Sequence, residues 1–311
     1  MKENEPIVGI HRISTPIPFP VGSVNVYFSE NPCPTLLDTP LNDPGCIAHL
    51  VRALENLGTS IKDIRRIIVT HPHIDHFGAA GWIAEKSKAE IWASPGAARY
   101  MENFKVELER DMSYYEEIMD KAGVPYDTHE CMNGFRRAGR EFGCQVKVTK
   151  RLEEGDEFQL ASETFRVMSV PGHTPYCILL YQPEKGVAFS GDFLLNEISS
   201  SAVLQRPDVV GGEYRGMVKY IASLKKVKKM NLNAAMPGHG PIIEDVFDRI
   251  GELLRFLQRR KEDIIGLLKL APITPFQIAT TLFGELPREE LIMGISEVVG
   301  FLELLEDEEP V

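Results

Sequence analysis

Up to Gly240 the apolar residues of this chain come in short runs, bounded by glycine, proline and small polar residues. Runs of that length, rich in Val, Ile and Phe, are the pattern of buried strands. They predict strands over Val8–Ile13, Val24–Phe28, Thr35–Thr39, Ile64–Val69 and Glu90–Ser94, then over Val146–Val148, Asp156–Leu160, Thr164–Val170, Ile178–Tyr181, Gly186–Ser190 and Ala234–Met236. Thr15–Pro20 is proline-rich and reads as a loop, because proline cannot donate to a ladder. Helical spacing intervenes. Ile47, Leu50, Val51 and Leu54 share one face of Gly45–Leu57, with Gly58 as the stop. Phe77–Ala84 reads as the first turns of another helix, and Gly216–Lys226 as one more.

From Pro95 to about Phe142 the pattern changes. Tyr100, Met101, Phe104, Leu108, Met112, Tyr115 and Met119 recur at helical intervals among Glu and Lys, until Gly123-Val124-Pro125 breaks the run. This predicts a helical insert over about residues 96–142, placed where it could cover a site. Helical spacing returns over Val246–Leu270. Thr274 then reads as an N-cap with Pro275 at the first position of a helix that stops at Gly284. Pro287 opens a third helix through Leu305. The expected organisation is an α/β domain over residues 1–245 followed by a small helical domain over 246–311.

A chain of 311 residues accommodates that pair of domains. Its net charge of -11 weighs against general binding to nucleic acid or to an anionic membrane. No apolar run is long enough to span a bilayer. The polar start, Met1–Pro6, lacks the apolar core of a signal peptide. Five scattered cysteines, Cys33, Cys46, Cys131, Cys144 and Cys177, form no CxxC pair and read as reduced thiols of a cytoplasmic protein.

The chemistry concentrates at Thr70-His71-Pro72-His73-Ile74-Asp75-His76, on the expected loop between a strand and a helix. Open α/β folds place ligands at such carboxyl ends of strands. Imidazole and carboxylate together suit a borderline divalent cation such as zinc. In an extended segment His71 and His73 share a face. Asp75 and His76, turning into the helix, then point elsewhere, toward a second ion. Three later strands also end in a His or Asp beside Gly or Pro: Pro171-Gly172-His173-Thr174, Gly191-Asp192 and Pro237-Gly238-His239-Gly240-Pro241. Four such ends in one chain suggest convergence on one site.

In that order these motifs resemble the metallo-β-lactamase superfamily. Pro171–Pro175 and Pro237–Pro241 resemble its glyoxalase II-like and LACTB2-like hydrolase branch in particular. The resemblance covers roughly residues 7 to 245, and the C-terminal helices resemble the small winged-helix-like domain of LACTB2-like proteins. It implies an αββα sandwich with metals at one sheet edge. It also implies ligand roles: His71, His73 and His173 for a first metal, Asp75, His76 and His239 for a second, and Asp192 between them. Asp38, at its own strand end, would be an acceptor that orients a ligand histidine, or else a simple turn cap. In the diiron oxidoreductase branch a glutamate stands where this chain has His73, which favours hydrolysis over oxygen chemistry. Where many relatives carry a Gly-His pair after the third motif, this chain has Tyr176 and Cys177, the latter read as a small buried filler.

The expected cofactor is therefore two divalent ions, zinc first, with iron and manganese accepted by the same ligands. Two such ions lower the pKa of a shared water toward neutrality. The expected function is hydrolysis of a small ester, thioester or lactone by a metal-bridging hydroxide, with Asp75 orienting it and accepting its proton. Gly-x-Ser-x-Gly is absent, which removes the α/β-hydrolase alternative. The alternatives are a LACTB2-like ribonuclease or phosphodiesterase, which the acidic charge disfavours, and a non-catalytic binding protein stabilised by metal. Acidic residues outnumber basic ones in the C-terminal helices, whose tail is Glu306-Asp307-Glu308-Glu309. Packing on the main domain, a homo-oligomer contact or a wall of the substrate cleft is expected there, not DNA reading.

Overall fold

Alternation along the strands decides where each face goes. In β3 (Thr35–Leu37) and β4 (Arg66–Val69), Leu36, Ile67 and Val69 face one apolar cluster while Leu37 and Ile68 face another. In β9 (Ile178–Gln182) and β10 (Val187–Gly191), Ile178, Leu180, Val187 and Phe189 join that second cluster, and Leu179 and Ala188 the first. The second cluster is the seam between two sheets. Tyr27 meets Phe189 across it edge-on, with ring centroids 5.0 Å apart. The first cluster covers the outer faces, against helices.

The computed structural model describes residues 7–126, 131–200, 204–212, 214–284 and 286–308. The polar start Met1–Pro6, the side chain of Cys131 and Glu309 of the acidic tail lie outside the described residues. One sheet has the order β1 (Ile10–Pro16), β2 (Ser23–Ser29), β3, β4, β5 (Glu90–Ala93), β6 (Lys150–Arg151), antiparallel through β3 and parallel beyond it. The other runs β11 (Ala234–Pro237), β10, β9, β8 (Glu163–Ser169), β7 (Glu157–Leu160), with β11 parallel to β10 and the rest antiparallel. Helices α1 (Pro44–Asn56) and α3 (Ala80–Ser87) cover the first sheet, and α8 (Gly216–Lys228) and α9 (Val246–Leu270) the second. This is the αββα sandwich.

Local rules account for most element ends. Asp43 caps α1 by accepting from the Cys46 amide at 2.9 Å, with Pro44 at the first helical position. Two expectations need correcting. Val146–Val148 is not a strand. The Val146 amide donates to the Met101 carbonyl at 3.1 Å and the Val148 amide to Glu102 Oε1 at 3.2 Å, so no ladder forms until Lys150. Phe77–Ala84 is not one helix. α2 (Ile74–Phe77) ends where the Ala79 amide turns to the Pro40 carbonyl at 2.9 Å, and α3 starts afresh.

The insert between β5 and β6 is helical: α4 (Pro95–Glu102), α5 (Phe104–Ala122) and α6 (Cys131–Phe142). Arg206, just before the short α7 (Pro207–Val210), ties it to the segment that follows Asp192. Its buried guanidinium donates to Asp111 Oδ1 at 2.7 Å, to Asp208 at 3.1 Å and to Glu107, all but Asp208 on α5. Asp111 also accepts from the Tyr100 hydroxyl at 2.7 Å. After α9, α10 (Pro275–Phe283) opens on a Thr274–Gln277 capping box. α11 (Arg288–Glu308) packs on α5, α6 and α8, and its Ile295, Val298 and Phe301 lie in the same apolar cluster as Tyr220 and Leu224 of α8. No described helix is long and apolar enough to cross a membrane.

Removing the Arg206 cation leaves Asp111, 5 % exposed, uncompensated. Arg206→Met is expected to lower unfolding stability by about 3–5 kcal/mol, the cost of breaking a buried ion network from one side. Chemical denaturation of the two proteins measures it.

Candidate metal centre

Four strand ends deliver the site. β4 stops at Val69, and Thr70–His73 follow as a loop that bends at Thr70 and His71 and is extended at His73. Asp75 and His76 stand in the first turn of α2. His173 follows β8, Asp192 follows β10 and His239 follows β11. Two glycines permit the approach. Gly191 has φ +48°, and a Cβ there would lie 2.5 Å from Thr70 Oγ1. A Cβ on Gly238 would lie 2.3 Å from Asp192 Oδ1 and 2.6 Å from His76 Cε1. Any other residue would fill the space between the ligand-type groups.

The seven side chains named from the sequence come together. His73 Nδ1 stands 3.2 Å from His71 Nε2 and 3.0 Å from His173 Nε2. His76 Nε2 and His239 Nε2 are 3.3 Å apart. Asp192 spans the cluster: Oδ1 is 3.4 Å from His76, and Oδ2 is 3.4 Å from His239, 3.7 Å from His173 and 3.8 Å from His71. Asp75 Oδ2 lies 3.3 Å from His239 Nε2. Among the described residues three overlapping groups could hold a metal ion: His71, His73 and His173; His71, His76 and Asp192; Asp75, His76 and His239.

The partners of the other ring nitrogens fix how the rings face. Asp38 Oδ2 lies 2.9 Å from His76 Nδ1. A carboxylate only accepts, so that nitrogen carries the proton and Nε2 turns to the cluster. The same carboxylate accepts from the Thr70 hydroxyl at 2.8 Å and the Thr70 amide at 2.7 Å. Thr70 Oγ1, its proton spent on Asp38, accepts from His71 Nδ1 at 3.1 Å. His239 Nδ1 donates to the Ser23 carbonyl at 2.9 Å. Nothing in the sequence marks the orienting roles of Thr70 and Ser23, because an ordinary Thr and a backbone carbonyl carry no motif. Tyr176 and Cys177 turn away into packing. The Tyr176 ring lies against Gly96, and burial pushes the Cys177 thiol up to about 12 beside Thr174.

Charge divides the cluster. Burial, with His76 nearby, holds the pKa of His71 well below that of a free imidazole. Burial and His173 hold His73 down to about 3. Burial also opposes charge on His76 and His239, but the carboxylates outweigh it. Asp192, Asp75 and Asp38 raise His76 well above its usual range, and Asp192 and Asp75 raise His239 to about 10. In return, and against their own burial, Asp192 is held well below the carboxylate range and Asp75 down to about 2 by His76 and His239.

The donor set fits divalent cations. The facing nitrogens of His71, His73 and His173 repel through their lone pairs unless something positive lies between them, and two nitrogens on one zinc stand about 3.3 Å apart. Asp192 Oδ1 is buried with no hydrogen-bond partner, although a buried polar atom ordinarily has one.

A fold of two packed sheets with histidines and aspartates at its strand ends defines a metallo-hydrolase architecture, and the sequence comparison agrees. The family profile of the metallo-beta-lactamase superfamily matches residues 40–239, and the chain belongs to that superfamily. A probable metallo-hydrolase of Bacillus subtilis, YqjP, is 28 % identical, covering 96 % of this chain and 92 % of its own length. The hydroxyacylglutathione hydrolase GloC of Haemophilus influenzae is 28 % identical over 68 % of this chain and 86 % of its own. The crystal structure of a metallo-beta-lactamase family protein from Thermus thermophilus matches with a TM-score of 0.82 at 25 % identity, covering 96 % of this chain and 94 % of that one.

Two outcomes follow. Asp38→Ala frees His76 and Thr70 together and is expected to weaken metal affinity about 10- to 100-fold, the usual effect of losing a ligand's orienting partner. Competition against a chromophoric chelator measures it. At neutral pH His76 and His239 hold protons that a cation must displace. Zinc uptake by chelator-stripped protein is therefore expected to release protons and to tighten as pH rises. Calorimetry in two buffers of different ionisation enthalpy reads the proton count.

Proposed function

We propose that this chain is a metal-dependent hydrolase of a small ester, thioester or lactone. The observation that carries the reading is the convergence of five imidazoles and two carboxylates from four strand ends around the unpartnered Asp192 Oδ1. A relative named for hydrolysis of hydroxyacylglutathione, an acyl thioester, supports the substrate class. In this reading His71, His73 and His173 hold one ion, and Asp75, His76 and His239 hold a second. Asp192 would serve both, since its Oδ2 lies 3.4 Å from His239 and 3.7 Å from His173, one in each half of the cluster. Zinc is the first choice on ligand type.

A pair of divalent ions there would lower the pKa of water and take up negative charge as it develops on the substrate oxygen. The chain's own groups do the rest. Asp38 and Thr70 keep the His76 and His71 rings from rotating. Asp75, ionised far below neutrality, accepts a hydrogen bond from the attacking water and orients it toward the acyl carbon. Being a weak base, Asp75 holds that proton only briefly before it leaves with the alcohol or thiol.

On an ester, thioester and lactone panel, the zinc-loaded protein is expected to turn over at least one class. Chelation should abolish turnover, and His71→Ala should lower kcat/KM by more than about 100-fold, beyond the loss of a mere orienting partner. An inactive panel at full metal occupancy, with cleavage of labelled single-stranded RNA instead, would move the assignment to phosphodiesters. No turnover of either kind would leave a metal-stabilised binding protein.

A further inference from the structure

We infer that Asn25 and Tyr27 of β2 are positioning residues that set the affinity of one of the two ion positions and leave the other unchanged. The inference rests on the metal assignment proposed above.

His239 stands on a strand end with glycine on both sides of it. β11 stops at Pro237, the next residue is Gly238, and Gly240 on the far side has φ +71°. Glycine on both sides gives this tetrapeptide little preference of its own. β2 supplies what the local sequence lacks. The Asn25 side chain, 1 % exposed, donates one Nδ2 proton to the Pro237 carbonyl at 3.0 Å and the other to the Gly240 carbonyl at 2.8 Å. Its amide donates to the Gly238 carbonyl at 2.7 Å. The buried Tyr27 hydroxyl donates to the Pro237 carbonyl at 2.8 Å. With the Ser23 carbonyl on His239 Nδ1, three alternate residues of one strand grip the turn before, at and after the histidine.

The chemistry of the grip is specific. A primary amide offers two protons to two carbonyls without bringing a charge. An alanine would remove both bonds, leaving the Pro237 carbonyl to the Tyr27 hydroxyl and the Gly240 carbonyl to Arg12 Nη1, and an aspartate would add charge repulsion. None of these bonds reaches His71, His73 or His173, whereas the Asp38–Thr70 arrangement touches both His76 and His71. The two orienting systems therefore act on different sets of ligands. Of the ligand-type residues β2 bonds directly to His239, so its hold bears on the Asp75, His76 and His239 position.

The test is zinc titration of chelator-stripped Asn25→Ala and Tyr27→Phe by competition and calorimetry, beside the unsubstituted protein. Two ions are expected on the unsubstituted protein. In Asn25→Ala one should keep its affinity and the other weaken about 10- to 100-fold. Tyr27→Phe, which removes a single hydroxyl and keeps the ring in the seam, should weaken the same ion by a smaller factor. Melting of the stripped proteins separates a general loss of stability from a loss confined to one ion. Equal weakening of both ions, or unchanged binding in both variants, would overturn the inference. An unsubstituted protein that takes up no zinc would overturn the metal assignment first.

Discussion

One carboxylate holds the centre of this molecule in register. Asp38 sits at the end of β3 with φ +59°, a left-handed conformation that aspartate tolerates better than most residues. Its amide still pairs with the Ile68 carbonyl of the neighbouring strand at 2.8 Å. Turned this way, its two oxygens meet the Thr70 amide, the Thr70 hydroxyl and His76 Nδ1. Two imidazoles are thereby set, one directly and one through a hydroxyl. Without an acceptor at that point, the rings of His71 and His76 would have a choice of nitrogen to turn toward the cluster.

The sandwich exists around this point for a physical reason. Five imidazoles and two carboxylates cannot be buried by local sequence alone, because each polar side chain needs a partner when it leaves water. Parallel β3, β4 and β5 bring Asp38 and the His71–His76 segment to one edge, and parallel β10 and β11 bring Asp192 and His239 to the corresponding edge of the second sheet. The aromatic seam of Tyr27, Phe165 and Phe189 holds the two sheets face to face. Glycines at 191 and 238 then let the edges close to contact distance.

The helical additions are bound to this core in different ways. Arg206 fastens the insert to the segment leaving Asp192 by ion pairs. The C-terminal helices join mainly through apolar packing of α9 and α11 on α8, α5 and α6, and Arg260 pairs with Glu297 at 3.0 Å between α9 and α11. An ion network fixes an angle of approach more tightly than apolar contact does, since it demands direction as well as proximity.

Much of this was legible in the residues. Strand positions followed from apolar runs, α10 from Thr274 and Pro275, and the seven ligand-type residues from histidines and aspartates beside Gly or Pro at strand tips. Those signals are local, written within a few neighbouring positions. Nothing local showed that Asn25 would hold a loop more than two hundred residues away, that Thr70 would relay Asp38 to His71, or that the amides of Val146 and Val148 would turn to α4 instead of a strand. A hydrogen bond between distant segments leaves no periodicity in the chain. The sequence alone thus determined most of the elements and which side chains can carry the chemistry. Tertiary packing decided which nitrogen each ring presents and what keeps it there, because those partners meet only after the two sheets have closed.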